Sequence, residues 1–187
     1  MNNEKEVLSS ISNLINYIGD DSDRLKATPK KVLDIFKNNI FSGYNIDIPN
    51  IFANYLEYAS DHEQMILLKD IPFLSFCEHH FMPIIGKITL GYTPRQKIIG
   101  INRLHMLIAA HTKRLQIQER IISNIVGDID KYLEPLFIGV LINSSQYCIG
   151  CCKQYNYNEL SANMINSCFL GEKIEERKID FFNMIKG

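Results

Sequence analysis

Apolar residues in the first part of the chain recur at three- and four-residue intervals. Val7, Leu8, Ile11, Leu14, Ile15 and Ile18 form one such series, which predicts an amphipathic helix ending near Gly19. In "KATPKKVLDIFKNNIFSGY" a second helix is expected, with Thr28 as its cap, Pro29 at the first helical position and Gly43 closing the end. Residues 46 to about 62 have no clear period and read as irregular or weakly helical. The pattern then shortens to β-rich runs, "MILLKDIPF", "IIGKITLGY" and "KIIGI", with Pro94, Arg95 and Gln96 turning between the last two. These read as antiparallel strands. From Asn102, which reads as a cap, "RLHMLIAAHTKRL" puts Leu104, Leu107, Ile108 and Leu115 on one face, and "QERIISNIVGDIDKYL" continues with Ile121, Ile122, Ile125, Val126 and Ile129. Two successive helices, or one bent one, are expected. "LFIGVLINSSQYC" returns to strand, and "KIDFFNMIK" closes as a short helix. This order predicts an α+β fold in one domain, with a helical N-terminal region over 1–62 and a core over 63–187. No internal repeat, low-complexity segment or linker interrupts it.

Composition narrows the classes of function. The 187 residues are 46% hydrophobic and 22% charged, with 20 basic residues against 21 acidic ones. That balance argues against disorder and against nucleic acid as a partner. The start, "MNNEKEVLSS", is polar, and no stretch approaches the roughly 18 uninterrupted apolar residues of a membrane span. A soluble, cytoplasmic protein with no membrane partner is expected. Five cysteines, three of them in "CIGCC", are an odd number without secretory context, which favours thiolates or metal ligands over disulfides.

The densest chemistry lies in "FCEHHF". Cys77 and His80 have C-x-x-H spacing, close enough for both to reach one tetrahedral zinc across a turn. "CIGCC" adds Cys148 and Cys151. If all four bind, the site is closed and structural; if only Cys77, His80 and Cys148 bind, a water completes the shell and can be activated. His79, next to a ligand on an extended segment, points elsewhere. It reads either as a proton donor or acceptor flanking the metal or as a hydrogen-bonded, partly buried histidine. Glu78 reads as a residue orienting a ligand or as a solvated carboxylate. His62, His105 and His111 read as ordinary surface or core histidines. In "RLQIQER", Gln118 and Glu119 are either ordinary polar residues of a helix face or an amide and a carboxylate suited to the edge of a guanine or pterin ring.

Over nearly its whole length the chain resembles the GTP cyclohydrolase I family. The likeness is carried by "TPKKV", "FSGY", "FCEHHFMPIIGKITLGYTP", "IIGINRL", "RLQIQER" and Cys148. The resemblance implies a tunnelling fold, an antiparallel sheet with helices on one face. Such subunits close into pentameric barrels that stack as a homodecamer, with active sites where subunits meet. It implies Zn2+ held by Cys77, His80 and Cys148, a catalytic role for His79, and guanine anchored by Gln118 and Glu119. The implied reaction is attack of metal-activated water on C8 of GTP, ring opening with loss of formate, and reclosure to 7,8-dihydroneopterin triphosphate.

Several positions depart from the family pattern. Gln146 stands where the family has a second catalytic histidine, and an amide carries no proton at neutral pH. Arg103 matches the first of two phosphate-binding cations, whereas Met106 replaces the second. After Cys148 the family's Arg-Gly pair is missing, and Lys153 is the nearest cation. A second reading is therefore a noncatalytic or re-purposed oligomer of the same fold that binds a purine or pterin around a structural zinc.

Overall fold

The computed structural model describes residues 3–19, 23–53, 56–58, 64–151 and 161–187, with the backbone alone at 150 and 151. Two compact units divide the chain, Met1–Ser42 and Gly43–Gly187.

In the first unit, α1 (Glu4–Tyr17) starts three residues before its first apolar position because the Asn3 side chain accepts a hydrogen bond from the Lys5 amide at 3.2 Å. Glu4 and Glu6 then oppose the positive end of the helix dipole. Helix α2 (Thr28–Ile35) differs by one position from the sequence expectation: Ala27 occupies the cap, Thr28 is already helical and no side chain caps the end. The chain runs on into a π-helical turn, Phe36–Ile40, closed by the Phe41 amide donating to the Phe36 carbonyl at 2.8 Å. That wider turn sets the Phe36 and Phe41 rings edge-on at 5.3 Å.

The second unit is built on a five-stranded sheet in the order β5-β2-β3-β6-β7. Its long members are β2 (Ile66–Cys77), β3 (Pro83–Thr93), β6 (Phe137–Gln146) and β7 (Ala162–Gly171); β5 is the short Leu115–Gln116. All neighbours run antiparallel except β2 and β5. A second, two-stranded sheet pairs β1 (Leu56–Tyr58) with β4 (Lys97–Ile99). Helix α3 (Ile48–Phe52) and β1 fall within the segment that the sequence leaves without a period. Helix α4 (Ile101–Thr112) is capped by Gly100 rather than Asn102, which lies inside the helix. Helix α5 (Gln118–Leu133) is separate from α4, because β5 intervenes. A short α6 (Tyr147–Cys151) follows β6, and α7 (Ile174–Lys186) ends the chain. Among the described residues no helix is long and apolar enough to cross a membrane.

Strand alternation decides which side chains reach the site. Leu68 and Ile71 are three apart yet both buried, because a bulge at Asp70, with φ of 55°, inserts an extra residue and resets the alternation. From there Ile71, Phe73, Ser75 and Cys77 all face the core. The core joins them to Leu104, Leu107 and Ile108 of α4 and Ile121, Ile125 and Ile129 of α5. His111 is buried in this region and binds Asp128 of α5 through Nε2 at 2.6 Å, so it ties α4 to α5. The opposite sheet face carries Leu74, Ile85 and Ile165, which are 40%, 47% and 66% exposed.

Gly86 is required by close approach. A Cβ there would stand 2.3 Å from the Asn143 carbonyl oxygen and 2.5 Å from Ser144 Cβ, against backbone that is fixed by the β3–β6 ladder. Gly86→Ala is expected to cost about 1–3 kcal/mol, the usual range for overpacking. The check is a lowered denaturant midpoint at unchanged slope.

Candidate metal centre

Cys77 is the last residue of β2, and the chain turns through Glu78, His79 and His80 before β3. The turn is closed by the Phe81 amide donating to the Cys77 carbonyl at 2.9 Å and the Cys77 amide donating to the Met82 carbonyl at 2.8 Å. Phe81 takes a left-handed φ of 56° to complete it. The extended geometry expected for His79 is thus replaced by a turn, which brings both imidazoles toward the same sulfur. His80 Nδ1 lies 3.8 Å and His79 Nδ1 4.0 Å from Cys77 Sγ.

Cys148 completes the cluster from across the sheet. It sits in the first turn of α6, two positions beyond the end of the strand on which the sequence places it, because β6 ends at Gln146. One ligand atom each from Cys77, His80 and Cys148 lies within 4.8 Å of the other two. A tetrahedral zinc with Zn–S near ~2.3 Å and Zn–N near ~2.1 Å sets a sulfur and a nitrogen about 3.6 Å apart, close to the observed Cys77–His80 separation. Two soft thiols with one imidazole are a donor set suited to a borderline-soft divalent ion. Cys77 is buried, Cys148 half-buried and His80 exposed, so the cluster opens to one side. The side chain of Cys151 and the whole of Lys153 lie outside the described residues.

His79 keeps 64% of its side chain exposed, with Nε2 3.7 Å from Glu78 Oε1. Glu78 is held by Arg120: Nη1 bonds Oε2, and Nη2 donates to Oε1 at 3.2 Å. Hydrogen bonding to that guanidinium holds the Glu78 carboxyl below its ordinary range, and the Arg120 pKa is raised in return. Arg120 is a site residue that sequence reasoning missed. Its signal is its place beside Glu119 in "QER", but its partner lies 42 positions away.

The two candidate base anchors separate. Gln118, the first residue of α5, is only 2% exposed. Its Oε1 accepts from Ser144 Oγ at 2.5 Å and from Gln146 Nε2 at 3.0 Å, and its Nε2 donates to the Met164 carbonyl at 3.3 Å. Gln146 also donates to Ser144 Oγ at 3.1 Å. Gln146 is therefore bound to a neighbouring amide, and Gln118 is fastened to both β6 and β7. Glu119, next along the helix, is exposed. Arg103, in the first turn of α4, places Nη1 3.9 Å from Met106 Sδ.

Fold and cluster together define an α+β protein with a candidate transition-metal centre at one end of a mixed sheet. Residues 7–186 match the family model of GTP cyclohydrolase I. Among curated relatives, the GTP cyclohydrolase 1 of Rickettsia felis is 33% identical over 182 residues, covering 96% of this chain and 95% of that protein. The GTP cyclohydrolase 1 of Campylobacter curvus is 31% identical over 180 residues, covering 95% and 93%. That of Bartonella bacilliformis is 34% identical over 147 residues, covering 78% and 71%. The chain belongs to the GTP cyclohydrolase I family.

Proposed function

We propose that the chain is a zinc-dependent hydrolase that converts GTP to 7,8-dihydroneopterin triphosphate and formate. The observation that carries this reading is the convergence of Cys77, His80 and Cys148 beside a turn that is tied, through Glu78 and Arg120, to the helix end bearing Glu119. That tie sets the turn with Cys77 and His80 beside the helix start that bears Glu119.

Bound to these three side chains, Zn2+ would supply Lewis-acid chemistry, lowering the pKa of a water toward neutrality. The protein residues do the rest. The exposed Glu119 carboxylate accepts N–H bonds from the guanine edge, and its place in the first turn of α5 sets it against the positive end of the helix dipole. Gln118, one residue before it, anchors the start of the helix, with Gln146 and Ser144 holding its amide. His79, exposed and beside the cluster, gives or takes the proton as the ring opens. Arg103, with Lys153, meets the phosphates. Gln146 enters through its hydrogen bonds and carries no proton.

The open face with Leu74, Ile85 and Ile165 and the place of β7 at the edge of the sheet among the described residues support self-association, which we read as a decamer of two pentamers. A thiol-rich ligand set suits a reducing compartment, so we place the protein in the cytoplasm.

The test is incubation of the zinc-loaded protein with GTP, followed by oxidation and dephosphorylation. Neopterin fluorescence and stoichiometric formate are expected; zinc-loaded, oligomeric protein that yields neither would overturn the reading.

A further inference from the structure

The Glu78–Arg120 pair is half-exposed, with side-chain exposures of 29% and 46%. Exposed pairs of this kind contribute little to stability. Its location is more informative than its energy. Glu78 lies between one metal ligand, Cys77, and His79, while Arg120 follows Glu119 directly. The backbones already approach here, since Cys77 pairs with Gln116 in β5 and the Glu78 amide donates to the Gln116 carbonyl at 3.2 Å. Those bonds bring the turn and the start of α5 together; they leave the tilt of the turn's side chains to be set by another contact. The forked guanidinium, gripping both Glu78 oxygens, supplies a directional one.

On the other side of the same helical turn, Gln118 is locked into β6 and β7. The three residues Gln118, Glu119 and Arg120 thus divide their tasks. The outer two are fastened to opposite parts of the scaffold, and the middle one is left to face a ligand.

We propose that Arg120 is a positioning residue: by clamping Glu78 it fixes the turn that carries Cys77, His79 and His80 relative to the Glu119 carboxylate. The inference deepens the proposed function and rests on it for the identity of the ligand, but the clamp acts on the metal turn whether or not GTP is the substrate.

Arg120→Ala is expected to lower zinc affinity about tenfold, the low end of what is lost when a partner behind a metal ligand is removed. The measurement is competition with a chromophoric chelator, without GTP. At saturating zinc, kcat for neopterin triphosphate should fall about tenfold while KM moves less than threefold, because Gln118 still anchors the start of α5, which bears Glu119, to β6 and β7. Thermal stability should stay near that of the wild type, which separates positioning from a purely structural role. Arg120→Lys keeps the charge but has no fork, so it should fall between the two; Arg120→Lys also serves if the alanine variant does not fold. In a double-mutant cycle with Glu78→Gln, the double variant should lose no more than Arg120→Ala alone.

Unchanged zinc affinity and kcat in Arg120→Ala would overturn the proposal, as would wild-type values in Arg120→Lys when the alanine variant is unfolded. Losses that simply multiply in the double variant would also overturn it. The proposed reaction fails separately: wild-type protein that binds zinc but makes no product from GTP defeats that reading, while a tenfold loss of zinc affinity in Arg120→Ala would still establish the clamp.

Discussion

Cys148→Ala is expected to yield a folded protein with no stoichiometric metal and GTP turnover reduced about a thousandfold or more. The magnitude follows from what a bound Lewis acid contributes, several kcal/mol of transition-state stabilisation, at about 1.4 kcal/mol per factor of ten. Cys148 is the right ligand to remove. Cys77 is 5% exposed and belongs to the core at the end of β2, so its loss would confound metal binding with a packing defect. His80 shares its turn with His79, and its removal could recruit the neighbouring imidazole, whose Nδ1 is 4.0 Å from the same sulfur. Cys148 comes from a different element than the other two ligands, half-buried in the first turn of α6. Metal content by elemental analysis and turnover by neopterin fluorescence check the prediction together. Full zinc occupancy in the variant would mean that the ligand set is wrong.

His79→Ala is expected to do the reverse: metal retained, turnover lost by about 10²–10⁴-fold, the usual worth of a positioned proton-transfer group. The side chain is 64% exposed, so its removal should leave stability within about 0.5 kcal/mol of the wild type. Zinc lost along with activity would show that the two adjacent imidazoles have exchanged roles. The distances make this a real contest, since 4.0 Å and 3.8 Å from the sulfur differ little; what separates them is that His80, and not His79, also comes within 4.8 Å of the Cys148 sulfur.

The elements with strong hydrophobic contrast were legible in the chain. Strands β2, β3 and β6 announce themselves as short β-rich apolar runs, and helices α1, α4, α5 and α7 by apolar residues recurring at helical spacing. Strand β7 does not. Its "ANMINSCFLG" mixes Asn, Ser and Cys among apolar residues, and no side chain in it is fully buried, so the alternation carries little contrast. The switch from β6 into α6 at Tyr147 is likewise hidden, since "SQYC" continues a run that reads as strand. Within the site, the pairing of Cys77 with His80 follows from local spacing. The inward turn of Gln118 and the grip of Arg120 on Glu78 do not, because both depend on partners brought close only by the sheet.

The wide separation of Cys77 and Cys148 along the chain has a thermodynamic side. They meet only after β2, β3 and β6 have paired, so a metal that needs both binds the folded chain and not the unfolded one, and its binding free energy is added to that of folding. Its free concentration then becomes a variable of folding stability, adding RT ln(1 + [Zn2+]/Kd). On the proposed zinc reading, a chain starved of the ion would be poorer in conformational stability as well as in chemistry, and supply of the ion would set how much of the protein persists.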